Sequence, residues 1–265
     1  MVKTISSLQN PFIKQLVQLK EKSKLRKKTG LFVIEGKREL SLAIKGNYKI
    51  ETLYYYADLF SASEASSLEV YGIDVIEITK VVYEKIAHRE TTEGIIAVAK
   101  AKDLGLKNLE FKSKTPLILV AEAPEKPGNI GALLRTADAA NVDAIIISNP
   151  LTDLYNPNSI RSSVGGVFTV PIATGTTEEI INYLKQHDIS IYAAILQESV
   201  VYDSINFKKA TAIVVGAESA GLSKEWRDAS TAKIRIPMQG KIDSMNVSVA
   251  AGILIFEAKR QRKFN

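Results

Sequence analysis

The side chains best suited to chemistry gather in three loops, each joining an apolar run to a helical pattern. The first, EAPEKPGNIGALLRT, stiffens its chain with Pro124 and Pro127, offers Asn129 as a helix cap or ligand contact, and carries Arg135 six residues later. An arginine between LL and TADAA must find a carboxylate, a phosphate or water, because a bare buried guanidinium is too costly. The second loop, IVVGAESAGLSKEW, ends a hydrophobic run at Gly216 and holds Glu218 and Gly221. Glu218 suits pairing with Arg135 or holding a cationic group, and equally an N-cap or surface ion pair. The third, IPMQGKIDSMNVSVAAGILIFEAKR, sets Asp243, Ser244 and Asn246 before a helix that opens with Ser, Ala and Gly. So many small residues leave room for a ligand or a closely packed backbone. Ser244 and Asn246 fit ligand orientation or plain capping. A fourth stretch, NPNSIRSSVGGVF, brings Arg161, Ser162 and Ser163 either to cradle a phosphate at a helix start or to cap that helix.

Several chemistries are excluded or disfavoured. GAESAG lacks phosphate-loop spacing and no strand is followed by a dinucleotide fingerprint, which argues against a nicotinamide enzyme. The chain has no cysteine, hence no thiolate chemistry, and its two histidines, His88 and His187, stand apart, so no metal is expected. No apolar run reaches membrane-spanning length. MVKTISSLQNPF lacks a secretory core, and with the absent cysteines this suggests a cytoplasmic protein.

Charge is uneven along the 265 residues. Residues 1–50 carry 12 Lys or Arg against 3 Asp or Glu, and the last eight residues add four more cations, although the whole chain is only +6. KEKSKLRKK, with Lys24, Arg26, Lys27 and Lys28, followed by Lys37 and Arg38, can neutralise the phosphates of a nucleic acid. A solvated surface helix explains one such run as well.

These residues need a scaffold, and hydropathy supplies it. Residues 6–27 read as one helix with Leu8, Phe12, Leu16 and Leu19 on a stripe. LFVIEG, IETLYYYA, DVIEIT and EGIIAVA read as strands, with helices over 37–45, 62–71 and 79–87. Tyr54, Tyr55 and Tyr56 suit stacking on bases, but neighbours alternate faces and cannot all do so, so at least one is expected in the core. That makes a small α/β domain over 1–101. The charged stretch 102–115 reads as a linker, and 116–265 as a second α/β domain. There PLILVAEA, DAIIISN, FTVPIA, ISIYAAIL, TAIVV and AKIRIP alternate with helices, the pattern of a parallel sheet covered on both faces. Ligands of such sheets sit beyond the strands' carboxyl ends, where all three loops fall. Ile236 and Met238 there can contact an adenine or simply finish the core.

Asn129–Gly131–Arg135, Gly216–Glu218–Gly221–Leu222, and Ile236–Pro237–Met238 with Ser244–Met245–Asn246–Val247 resemble the three conserved motifs of the SpoU/TrmH RNA 2′-O-ribose methyltransferases of the SPOUT superfamily. Their order and context match across roughly residues 115–260. TGLFVIEGKREL resembles the start of that family's auxiliary RNA-binding domain, with a fold like ribosomal protein L30e. The resemblance implies S-adenosylmethionine as cofactor, a deep trefoil knot near the C-terminus, a homodimer, and ribosomal RNA as substrate. It implies catalytic roles for Arg135, Asn129, Glu218, Ser244 and Asn246, with Glu218 positioning Arg135. Cofactor contacts are expected at Leu196, Gly216, Ile236, Met238, Met245 and Val247. RNA contacts are expected at Lys24, Arg26, Lys27, Lys28, Lys37, Arg38, Arg161 and Ser162. The family's usual glycine after the first-motif helix is Asn141 here, a residue that tolerates a left-handed backbone. Transfer to transfer RNA or to a base, and a non-catalytic RNA-binding or ribosome-assembly role, are the alternatives.

Overall fold

The computed structural model describes residues 3–87, 93–218, 220–241 and 244–264. His88, Ser219 and Asp243 lie outside them. The chain divides into two compact units, residues 1–102 with 155–169, and residues 103–154 with 170–265.

Unit 1 contains β1 (Lys3–Ile5), α1 (Pro11–Glu21), α2 (Ser23–Thr29), β2 (Leu31–Glu35), α3 (Lys37–Lys45), β3 (Ile50–Tyr55), α4 (Ala62–Ser67), β4 (Asp74–Ile78), α5 (Lys80–Ile86) and β5 (Ile95–Lys100). Its five strands lie in the order β1-β4-β3-β5-β2, with β2 and β3 antiparallel to β5 and the other pairs parallel. The stretch read as one helix breaks at Lys22, whose backbone is extended. The break lets Arg26 fold back, and its Nη1 donates to the carbonyls of Leu19 and Lys20 at 2.5 and 3.0 Å. Ile13, Leu16 and Leu19 of α1 cover one sheet face with Val33, Tyr54 and Ile76. On the other face Phe32 stacks on Tyr155 at 4.4 Å, and the Tyr48 and Tyr155 hydroxyls lie 3.3 Å apart. Both faces being covered, Tyr54 and Tyr55 are both core, and Tyr56 stacks on Tyr83 at 5.5 Å.

Unit 2 begins with the 103–115 stretch, which packs onto it rather than hanging free. Leu106, Leu109 and Phe111 rest on the core, and Leu104 accepts from the Thr174 N–H at 2.7 Å. Then follow β6 (Leu117–Glu122), α6 (Pro127–Ala139), β7 (Ala144–Ser148), α7 (Pro157–Ser162, within unit 1), β8 (Ile172–Gly175), α8 (Thr177–Gln186), β9 (Ser190–Ala194), β10 (Val200–Val201), β11 (Thr211–Val215), α9 (Lys224–Ala229), β12 (Ala232–Arg235) and α10 (Val247–Gln261). Seven parallel strands lie in the order β10-β12-β9-β11-β6-β7-β8. β6, β7 and β11 are buried along their whole length, which explains why they read as unbroken apolar runs. Ile118, Val120, Val214 and Ile146 pack under Ile180, Leu184 and Trp226 of α8 and α9. α6 and α10 pack on each other over the opposite face. The turn after α6 takes a left-handed Asn141, φ 47°, as that residue's tolerance predicts. FTVPIA forms a strand only from Ile172. Phe168 instead sits in a short 3-10 turn and stacks into the aromatic cluster of unit 1.

Candidate active site

The three polar loops meet at the carboxyl edge of the seven-stranded sheet. Asn246 caps α10, its Oδ1 accepting from the Ser248 N–H at 3.0 Å, a satisfied helix end of the usual kind. That leaves its amide nitrogen free to bridge. It donates to Glu218 Oε1 at 3.0 Å and lies 3.4 Å from Asn129 Oδ1. The other Glu218 oxygen takes an ion pair from Lys126 Nζ at 2.9 Å. Lys126, and then Asn129, hold the Glu218 carboxyl below the ordinary range, and Glu218 raises the Lys126 ammonium in return. Residues 129, 218 and 246 therefore form one cluster, although 117 residues of chain separate the two asparagines.

Arg135 is not in it. The expected Glu218–Arg135 pair is absent, and Lys126 takes that place. Six helical residues turn the chain by about 600°, which points Arg135 roughly 120° away from Asn129 around α6. The guanidinium is exposed and makes no hydrogen bond or ion pair among the described residues. Ser244 lies exposed in the loop between β12 and α10.

Glycine is required at Gly216. A Cβ there would sit 2.3 Å from the Gly221 carbonyl carbon, and Gly221 itself has φ +65°. The tight loop is closed by the Gly221 N–H donating to Ala217 O at 2.9 Å. Ala193 is level with Val214 and Ala194 with Ile234, so Leu196, Gly216 and Ile236 leave three adjacent strands at nearly one level. Leu196 is 45% exposed, and Ile236, Met238, Met245 and Val247 are half-buried. This is apolar surface at strand ends that the chain itself leaves partly uncovered, next to backbone that only glycine permits. It suits the flat face and ribose of an adenosyl group. Gly216 and Val247 also line a narrow cleft with Glu122, Lys126, Asn129 and Glu218, whose free space of about 10 Å³ admits a single water.

Sequence reasoning passed over two residues here. Lys126 stands just before α6 and gives Glu218 its cation. Glu122 ends β6 buried, accepting from the Ser223 N–H at 2.8 Å and the Thr177 hydroxyl at 3.1 Å, and so ties the Glu218 loop to the strand below it. A lone acid closing the run LILVAE was the available signal. No group of three or more metal-binding side chains occurs among the described residues.

In unit 1 the expected RNA contacts separate. Lys24, Lys27, Lys28 and Arg38 are exposed. Arg26 is not available for RNA, because it is 4% exposed and occupied by the α1 carbonyls. Lys37 spends its ammonium on Glu64 at 3.1 Å and lies over the Phe60 ring. Ser162 and Ser163 donate to the carbonyls of Asn158 and Ile160 at 2.7 and 2.8 Å, and Arg161 Nη2 donates to the Asn158 side chain. These residues sit at the end of α7 rather than at its start, which Asn156 caps, so they bond back to their own helix instead of capping a helix start.

Residues 116–256 match the model of the SpoU rRNA Methylase family, and residues 10–97 match an MRM3-like substrate binding domain. The chain is 27% identical over 258 residues to the 23S rRNA (guanosine(2553)-2′-O)-methyltransferase RlmP of Bacillus subtilis, covering 97% of this chain and 100% of that protein. It is 33% identical over 202 residues to the 23S rRNA (guanosine-2′-O-)-methyltransferase RlmB of Vibrio vulnificus, covering 74% of this chain and 82% of that protein. An AdoMet-bound rRNA methyltransferase from Sinorhizobium meliloti superposes with a TM-score of 0.90 at 32% identity, covering 98% of each chain.

Proposed function

We propose that this chain, which belongs to the SpoU rRNA methylase family and is an S-adenosylmethionine-dependent RNA 2′-O-ribose methyltransferase, modifies one nucleotide of large-subunit ribosomal RNA in the cytoplasm. The carrying observation is the Asn246 amide bridging Glu218 and Asn129, which draws three distant family motifs into one cluster. The 23S rRNA named for the two relatives supports the choice of RNA.

S-adenosylmethionine supplies a methyl group on a positively charged sulfur. In-line transfer requires the ribose oxygen to be held along the breaking bond while its proton is loosened. We assign Leu196, Gly216, Ile236, Met238, Met245 and Val247 to the adenosyl group. Asn129, Ser244 and Asn246 orient the ribose and the loops, and Glu218, kept ionised by Lys126, fixes both asparagines. Arg135 lies outside that cluster, on another face of α6, and its exposed guanidinium is assigned to the 2′-hydroxyl or a neighbouring phosphate of the bound RNA. Its positive charge stabilises the developing oxyanion while the hydroxyl proton leaves to solvent.

Unit 1 is proposed as an L30e-like platform that grips the RNA through Lys24, Lys27, Lys28 and Arg38. The family's trefoil knot is supported by the course of the chain: β12 lies beyond β9, yet the α10 that follows returns to pack on α6 and β11. A homodimer is supported by Val249 and Phe256, which stand 53% and 42% exposed on α10 with Ile253 between them. The test is incubation of ribosomal and transfer RNA with labelled cofactor, then digestion and mapping of the label. A methyl on a ribose of ribosomal RNA is expected. A methyl on a base, or on transfer RNA alone, would overturn the reading.

A further inference from the structure

Eight basic side chains from three separate stretches crowd the opposite edge of the seven-stranded sheet, where its strands begin. Lys112 and Lys114 precede β6, Lys208 and Lys209 precede β11, and Lys259, Arg260, Arg262 and Lys263 lie at the end of α10. Arg262 holds the three stretches together. Its Nε donates to Phe207 O at 2.8 Å, and Nη1 and Nη2 donate to Thr115 O and Lys209 O at 2.5 Å each. Gln261 adds a bond to Ile205 O at 2.9 Å.

Beside this clamp runs a groove of about 490 Å³ lined by Thr115, Asn141, Asp143, Lys208, Lys259 and Lys263. It shares Lys208, Gln261 and Lys263 with a second hollow of about 440 Å³. Two carboxylates beside the groove are already engaged. Asp143 accepts from the Leu117 N–H at 2.7 Å, and Glu257 binds Arg260 and Gln261. Lys112, Lys114, Lys208, Lys209 and Lys263 are exposed and form no ion pair among the described residues. The helix dipole favours cations at the end of α10, but it does not account for those on the other two stretches.

We propose that this edge is a second RNA-binding surface, taking backbone phosphates of a segment remote from the target nucleotide. Strands of five or six residues put the two edges about 15–20 Å apart. The same nucleotide cannot touch both, but one folded RNA can. The proposal rests on the RNA methyltransferase reading and adds a surface to it.

The test is the full-length variant K208E/K209E/K263E, measured for ribosomal RNA binding across a salt series and for steady-state transfer. RNA affinity should fall about tenfold or more near 0.1 M salt, and the plot of log affinity against log salt should flatten by about 2. Turnover at saturating RNA and cofactor affinity should be unchanged. Lys→Gln replacements at the same positions should show the same trend more weakly, and their melting curves report folding. Unaltered RNA affinity and salt slope would overturn the proposal. So would a changed oligomeric state with unaltered RNA affinity, which would mark the surface as a contact between copies. If the wild-type chain transferred no methyl to RNA, the reaction assignment would fail, while the binding series would still decide this surface.

Discussion

The two edges of the seven-stranded sheet use polar side chains in opposite ways. At the carboxyl edge, Asn129, Glu218, Asn246 and Lys126 bond mainly to one another, while Arg135, about two turns along α6, makes no bond among the described residues. At the amino edge, Arg262 is consumed by three backbone carbonyls. Arg26 of unit 1 behaves like Arg262, closing the end of α1. A guanidinium spent on carbonyls is architecture, because removing it leaves those acceptors without their partner. A guanidinium left exposed and unbonded is available to a substrate. The distinction between the two kinds of arginine is not visible in residue type. It depends on what the fold brings within reach.

The largest effect expected from that contrast is at Arg135. Arg135→Ala should lower single-turnover transfer by about 10²–10³-fold, as loss of an oxyanion-stabilising group does. Cofactor affinity by calorimetry should not change. Gly216→Ala tests the loop rather than the charge. Its methyl would meet the Gly221 backbone at 2.3 Å, so cofactor binding should be lost, with a stability cost of about 1–3 kcal/mol in thermal melts.

Arg26→Ala and Lys28→Ala sharpen the comparison within unit 1. The first should cost about 1.5–3 kcal/mol in denaturant titrations, since charged hydrogen bonds to carbonyls are lost. The second should leave stability alone and weaken RNA binding only. An Arg26→Ala chain of normal stability would show that the α1 carbonyls do not need it.

The smallest effect concerns pH. Lys126 holds the Glu218 carboxyl below its ordinary value. A lowered folded-state pKa stabilises the fold above the unfolded value of about 4.3, and that contribution disappears as pH falls through the folded value. The acid limb of the rate profile governed by Glu218 should therefore lie below the usual carboxylate range. Lys126→Met should move it up toward that range, and Glu218→Gln should abolish it.

Much of this molecule was legible before the structure. The buried parallel strands read directly from LILVAE, AIIIS and TAIVV, and the three motif loops do meet at one edge of the sheet. What stayed hidden was geometry that spacing along the chain does not carry. Glu218 was matched to Arg135 because both belong to motifs, but helical phase turns Arg135 away and brings Lys126 in. Arg26 looked like one more cation in KEKSKLRKK until the break at Lys22 folded it against α1. Tyr54 and Tyr55 alternate faces as expected, yet both are buried, because helices and the 155–169 segment cover the two sides of the unit 1 sheet.

The most direct test of a reaction centre at the carboxyl edge is single-turnover methyl transfer by Asn129→Ala at saturating RNA and cofactor. Asn129 does not cap α6, so its loss should spare the fold. A fall of about 100-fold or more with an unchanged melting curve is predicted, and a rate within about threefold of the unmodified enzyme would contradict it.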